Sequence, residues 1–190
     1  MTLEEMKALP EGKQKALYNK IKEIRNLGKV VNFSSVYGAG PPKIALTASL
    51  PLKQAELLHA TYWERNKSVK QVANSTLIKT VYNQRWQYNP ISGFWYYLKA
   101  EKDRFSTLNQ GSGSYIFDYW LRKSKEKLNP IGVSILLQYH DEMGGMCLKF
   151  QKDIVTKKLT EAMNELNQEL KLNVSISFSV DFGNNYASVH

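Results

Sequence analysis

The stretch that most restricts the fold runs from residue 13 to residue 42. Apolar residues recur at helical spacing over residues 13–31 and the pattern carries on to Tyr37, where Gly38, Gly40, Pro41 and Pro42 close it. The glycines supply a turn and the paired prolines cannot extend the preceding helix, so a long helix with a hard C-terminal stop is required. Along it Arg25, Lys29, Phe33 and Tyr37 stand four residues apart. Steps of four rotate by only about 40° each, which leaves four side chains on one slowly drifting face about 18 Å long. That is the scale of a nucleoside triphosphate. An arginine fork and a lysine point charge suit phosphates, and the two rings beyond them suit a sugar and a base. The same spacing also describes an ordinary amphipathic helix with its cations laid along the surface and its rings in the core. Spacing alone does not separate the two readings.

The 190 residues suffice for one large domain or two small ones. Charge adds a preference: 26 Lys and Arg against 17 Asp and Glu give a net +9, which favours a polyanionic partner such as nucleic acid or a nucleotide. No apolar run approaches the roughly 18 residues that would cross a bilayer, so no membrane role is expected. The first residues lack the features of a secretory signal, and Cys147 is the single cysteine. A reducing, cytoplasmic setting without disulfides is expected.

The N-terminal residues 3–9 read as a short helix, broken from the long one by Pro10 and Gly12. After the Gly-Pro turn a short helix is predicted at residues 43–48. Another follows to about Asn66 with Ser49 as its N-cap, and a third covers 68–81. The segment WQYNPISGFWYYL is aromatic and turn-rich, with Asn89-Pro90 and Ser92-Gly93 marking a loop or hairpin. A boundary is placed near Ala100. Beyond it the pattern predicts a helix over 107–127, strands VSILLQY and GMCLKF, a helix over 154–170 and a strand NVSISFSVDF. The fold class is therefore α+β: a helical part over residues 1–99, then a part over 100–190 with a small antiparallel sheet and flanking helices.

Within LLQYHDEMGGM an apolar strand delivers His140, Asp141 and Glu142 to a turn before a second strand. Adjacent carboxylates at a hairpin tip suit magnesium, a hard cation that takes oxygen ligands. A solvent-exposed acidic turn is the common alternative. The sequence has no Cys/His cluster for zinc, no Walker loop and no G-x-G-x-x-G fingerprint.

Taken together, R-x3-K-x3-F-x3-Y-G followed about a hundred residues later by strand-HDE-strand resembles the two C-terminal polymerase motifs of family A DNA polymerases. LNQGSGSYIFDYWL is similar to the family's glutamine-bearing palm helix, with Gln110 in the key place, and GNNYASVH matches its G-x-N-aromatic-x-x-x-His ending. The bacteriophage branch is the closest in texture. The resemblance covers residues 16–190 with the motifs in the family's order. It implies a DNA-directed DNA polymerase acting in replication, with residues 1–99 as fingers, 16–38 as the nucleotide-binding helix and 100–190 as the C-terminal part of the palm. By it, Arg25 and Lys29 contact the triphosphate, Lys29 with a catalytic part, and Phe33 packs against the sugar at the ring position that separates deoxy from dideoxy substrates. Tyr37 and Gly38 border the template base and nascent pair. Asp141 and Glu142 are the catalytic metal-binding pair, with magnesium as cofactor, and Gln110, His140 and His190 lie near the primer terminus or minor groove.

The match has departures. The family usually carries Arg eight residues and Asn four residues before the palm glutamine, where this chain has Lys102 and Ser106, with Arg104 nearby but out of phase. Lys102 and Arg104 are the candidate DNA contacts there. Tyr186 replaces the usual terminal Trp. Two-metal phosphoryl transfer needs a second aspartate, which the family supplies from a segment resembling D-[YF]-S-x-I-E-x-R, and this sequence contains no such segment. Two explanations follow, a naturally split polymerase or a fragment of a longer enzyme, and the first is the expectation: a chain active only with an N-terminal polypeptide that carries the remaining palm, the thumb and any exonuclease. Its other partners are primer-template DNA and a deoxynucleoside triphosphate (dNTP). A non-catalytic basic DNA-binding module of polymerase ancestry is the alternative.

Overall fold

The structure, a computed structural model, describes residues 11–189, apart from the Glu11 side chain. The expected helix at 3–9 and the terminal His190 lie outside the described residues. The fold is α+β, as expected. The described chain forms two compact units. The first comprises residues up to Gln87 together with Tyr97–Leu108, and the second Tyr88–Tyr96 together with the residues from Asn109 onward.

The first unit is built on α1 (Glu11–Val36), followed by α2 (Pro41–Ala48), α3 (Leu52–Arg65) and α4 (Lys67–Ser75). The C-terminal half of α1 packs through Leu27 and Val31 against Ile44 of α2 and Ala55 and Leu58 of α3. Ile44 and Ala55 are fully buried. The end of α1 is a Schellman turn in which the Ala39 N–H donates to the Ser34 carbonyl and the Gly38 N–H to the Ser35 carbonyl. Gly38 takes the left-handed conformation (φ 73°) this turn requires.

Two expectations need correction here. Ser49 does not cap α3: it ends α2 in a left-handed conformation (φ 53°), and Pro51 stands at the N-cap. The reason is local, since the Ser49 and Leu50 N–H groups return to the Leu46 and Ala45 carbonyls and close α2. The helix expected to 81 stops at Ser75. Ile78–Val81 is instead strand β1, paired antiparallel with β2 (Gln84–Tyr88) across a two-residue turn at Tyr82 and Asn83. β-branched Ile78, Thr80 and Val81 suit a pleated ladder better than a helix. Strand β3 (Trp95–Tyr97) completes a three-stranded sheet in the order β1-β2-β3.

Helix α5 (Arg104–Leu128) begins in the first unit and continues into the second. The second unit then adds β4 (Ser134–Tyr139), β5 (Glu142–Met146) and α6 (Lys152–Leu170). Its core joins Phe117, Trp120 and Leu128 of α5 to Val155, Leu159, Ala162, Met163 and Leu166 of α6, with Ile135, Met143 and Cys147 of the hairpin region packed against them. Truncating a buried leucine such as Leu166 costs about 2–5 kcal/mol in cores of this kind. On the surface Lys123 and Lys127 bridge to Glu165 and Glu169, tying α5 to α6.

The second strand of the hairpin covers 142–146 rather than 145–150, because Lys149–Gln151 turns as a 3-10 helix into α6. The expected last strand also needs correction. Ile176, Phe178, Val180 and Phe182 alternate inward onto the core while Ser175, Ser177, Ser179 and Asp181 face out, which is strand periodicity. Yet no ladder forms there among the described residues. Side-chain alternation is local, whereas a strand needs a neighbour to pair its backbone. The segment is held instead by Asn167 of α6, whose side chain exchanges two hydrogen bonds with the Ile176 backbone.

Candidate active site

The packing of α1 shows which side of its four-residue stripe meets solvent. Leu27, Val31 and Ser35 turn toward α2 and α3, and Ser35 is fully buried. Arg25 and Lys29 are exposed, Phe33 is 55% exposed and Tyr37 is 46% exposed. The rings are therefore not core residues. Two cations and two rings follow one another along a solvent-facing stripe, with Tyr37 on the first residue past the helix. Exposed aromatics are costly to leave in water, and rings in line with cations could contact a ligand that carries both phosphate and planar groups.

Beyond Tyr37 the chain cannot drift, because Gly38 sits against Lys102. A Cβ on Gly38 would lie 3.2 Å from both the Cβ and the carbonyl oxygen of Lys102. Lys102 is exposed, whereas the Arg104 side chain is only 18% exposed and pairs with Glu101 at 2.8 Å. Glu101 also pairs with Arg85 at 2.6 Å. Arg104 thus spends part of its charge on the scaffold.

Next to this corner lies a cavity of about 360 Å³, walled by Ser35 and Gly38 at the end of α1, His59 and Trp63 of α3, Lys70 of α4, and Arg104. Ser35 Oγ and Arg104 Nε are buried there without a hydrogen-bond partner. Trp63 Nε1 donates to His59 Nε2 at 3.0 Å, and the Lys70 ammonium lies 4.5 Å from the center of the Trp63 ring. Burial, and then the nearby Lys70 charge, hold His59 below its usual 6.5, which favours the neutral ring. Sequence reasoning missed Ser35, His59, Trp63 and Lys70. The only available signal was the four-residue spacing of His59 and Trp63.

In the second unit, Gln110 stands on α5, exposed, immediately before Gly111. A Cβ on Gly111 would come 2.8 Å from the Tyr96 ring, and Asn89 Nδ2 donates to Ser112 Oγ at 3.0 Å. This packing fixes the backbone that carries Gln110. Farther along α5, Asp118 accepts a 3.1 Å hydrogen bond from Gln138 of β4.

That strand delivers His140 and Asp141 to the two-residue turn between Tyr139 and Glu142, the last cross-strand pair. His140 is left-handed (φ 53°), and its ring meets Tyr139 edge-on at 4.4 Å. Asp141 is exposed and has no hydrogen bond or ion pair among the described residues, while Glu142 is half-buried. Two adjacent carboxylates, one of them uncommitted, are a donor set that fits a hard divalent cation in part. Among the described residues no group of three or more His, Cys, Asp or Glu stands close enough to hold a metal by itself. The ending is also ordered by its own residues: Asn185 caps the turn at Tyr186–Ser188, and Gly183 leaves space for the Ser188 hydroxyl.

The first unit carries a solvent-facing stripe of two cations and two rings on α1, and the second a hairpin tipped by two carboxylates. The chain belongs to DNA polymerase family A, whose sequence model matches residues 11–188. It is 31% identical over 141 residues to DNA polymerase I of Helicobacter pylori strain J99, an alignment covering 68% of this chain and 16% of that protein. It is 28% identical over 176 residues to DNA polymerase I of Caldicellulosiruptor bescii, covering 86% of this chain and 20% of that one. A thermostable DNA polymerase I of Thermus filiformis is 24% identical over 131 residues. The chain thus spans between 16% and 20% of the length of these curated relatives. Among the described residues no helix is long and apolar enough to cross a membrane.

Proposed function

We propose that this chain supplies the nucleotide-binding fingers helix and one metal-binding palm motif of a template-directed DNA polymerase. The observation that carries the reading is the solvent-facing stripe Arg25–Lys29–Phe33–Tyr37 on a helix whose opposite side is buried. Arg25 and Lys29 neutralise and orient the triphosphate of the incoming dNTP, Phe33 borders its sugar, and Tyr37 with Gly38 borders the template base. The cavity beside Gly38 gives an arriving template base a place to sit. Gln110, His140, Lys102 and His190 contact primer-template DNA, Arg104 supporting them through its pair with Glu101.

The reaction joins a primer 3′ oxygen to the α-phosphorus, releasing pyrophosphate and the hydroxyl proton. Charge gathers on the phosphoryl oxygens and the leaving group, so stabilisation is largely electrostatic. Asp141 and Glu142 would hold magnesium, which supplies that neutralisation when bound. Lys29 adds a fixed positive charge at the leaving phosphates. Because the 190 residues contain no D-[YF]-S-x-I-E-x-R segment, the second carboxylate must come from sequence outside them. We read its source as N-terminal polymerase sequence with the rest of the palm and the thumb, supplied by a separate polypeptide or by the same one. The bacteriophage assignment rests on the texture of the motifs.

Primer extension tests this. The chain combined with an N-terminal polymerase polypeptide should extend a primer, and the chain alone should not at any magnesium concentration. Extension by the chain alone would overturn the need for a partner. DNA binding without extension in any combination would favour the basic DNA-binding module.

A further inference from the structure

The part of the three-stranded sheet that lies in the first unit has a face that the nucleotide reading does not use. Pairing places Lys79 directly across from Trp86, and the Leu98 N–H bond to the Arg85 carbonyl sets the register that brings Tyr97 to the other side of Trp86. The Trp86 and Tyr97 rings meet edge-on with centers 5.8 Å apart. The opposite face of the same strands is the buried one, carrying Gln87 and Leu98 at 1% and 2% exposure. The outer row is open: Lys79 is exposed and Tyr97 is 53% exposed. Lys99, two residues past Tyr97, is exposed as well.

The hairpin tip adds a third ring. Tyr82 is 96% exposed, and Tyr82 and Asn83 both adopt left-handed conformations (φ 47° and 62°). A turn of this kind favours Asn and Gly, and an aromatic residue adopts it only at a steric cost. A ring kept there, entirely in water, gains nothing for the fold. It lies about 10 Å along the hairpin from the Lys79–Trp86 row. Glu101 is paired with Arg85 and Arg104, and the exposed charged residues of the strands and of the step after Tyr97, Lys79 and Lys99, are both basic.

We propose that this face, with Lys79, Trp86, Tyr97 and the tip residue Tyr82, binds a single nucleic-acid strand. Aromatic rings spaced along a surface stack bases whatever their identity, and lysines between them take the phosphates. An acidic protein would match the charge but not the rings. A duplex would match the charge but hides its base faces. The site stands apart from the catalytic reading, because it needs neither dNTP nor metal.

The full chain would be titrated against a fluorescent oligothymidine of about 12 nucleotides, followed by anisotropy. The Tyr82→Ala/Tyr97→Leu double variant should weaken binding at least tenfold, and Tyr97→Phe should bind like the parent chain. Lys79→Gln with Lys99→Gln should reduce the salt dependence by about one to two counterions. Both tyrosines are exposed, so the substitutions leave the core intact, and far-UV circular dichroism would confirm that. Unchanged affinity in the folded double variant would overturn the proposal, as would absence of oligothymidine binding by the parent or equal competition by a duplex of the same length. Any of these outcomes leaves the primer-extension test untouched, and failure of extension leaves this site untouched.

Discussion

Gly38 and Lys102 lie against each other just past the end of α1, with only the missing side chain of Gly38 between its backbone and the Lys102 Cβ and carbonyl. Gly38 is also left-handed (φ 73°), so it answers two demands at once. Gly38→Ala should destabilise the chain by about 1–2 kcal/mol from backbone strain alone. It should also displace Tyr37. Chemical denaturation of the variant checks the first effect; a stability equal to that of the parent would mean the corner relaxes freely.

Lys29 and Arg25 point into solvent and no ion pair ties Lys29 down among the described residues. In the chain combined with an N-terminal polymerase polypeptide, Lys29→Ala and Arg25→Ala should each weaken dNTP binding about tenfold or more and slow incorporation. DNA affinity should change little. Pre-steady-state incorporation measures this, and unchanged rates in both variants would return the stripe to a solvated helix face.

Phe33 is 55% exposed on that stripe, and a phenyl ring offers no hydroxyl to replace a missing 3′-OH. Discrimination against dideoxynucleotides is expected. Phe33→Tyr should relax it, read as the ratio of terminator to normal incorporation. Equal ratios in both proteins would place the sugar elsewhere.

Asp141 is exposed at the β4–β5 tip. Asp141→Asn keeps the shape and removes the charge, so primer extension should fall by about two orders of magnitude or more while DNA binding persists. Glu142, half-buried and one residue into β5, has a supporting position, and Glu142→Gln should be milder. Full activity in Asp141→Asn would remove the hairpin from the reaction.

His59 offers a pH test of the cavity. Its folded pKa lies below the ordinary 6.5, from burial first and the Lys70 charge second. The unfolded chain therefore takes up the proton more readily. His59's stabilising contribution is complete above about 6.5 and is lost as pH falls through the folded pKa. Unfolding followed by tryptophan fluorescence should show a loss of stability on acidification through that range, reduced in His59→Gln. The same slope in both proteins would assign it to other groups.

Some of this molecule could be read without its coordinates. The end of α1 follows from Gly38, Gly40, Pro41 and Pro42, because a left-handed glycine and paired prolines act through their own backbones. The inward alternation of Ile176, Phe178, Val180 and Phe182 is equally local, as is the α5 and α6 periodicity. Strand β1 was not legible, because residues 76–81 extend a helical pattern until Gln84–Tyr88 arrives to pair with them. For the same reason the segment around Phe178 alternates like a strand without becoming one: its backbone has no neighbour among the described residues. The stripe's meaning was also undecided in one dimension. Arg25, Lys29, Phe33 and Tyr37 are left facing solvent because Ile44 and Ala55, from two other helices, take the side of α1 that holds Leu27 and Val31. The cavity that gathers Ser35, His59, Trp63, Lys70 and Arg104 draws on elements far apart in the chain. Residue type and spacing set what each segment can do alone; which side of it meets water is decided by the segments that pack against it.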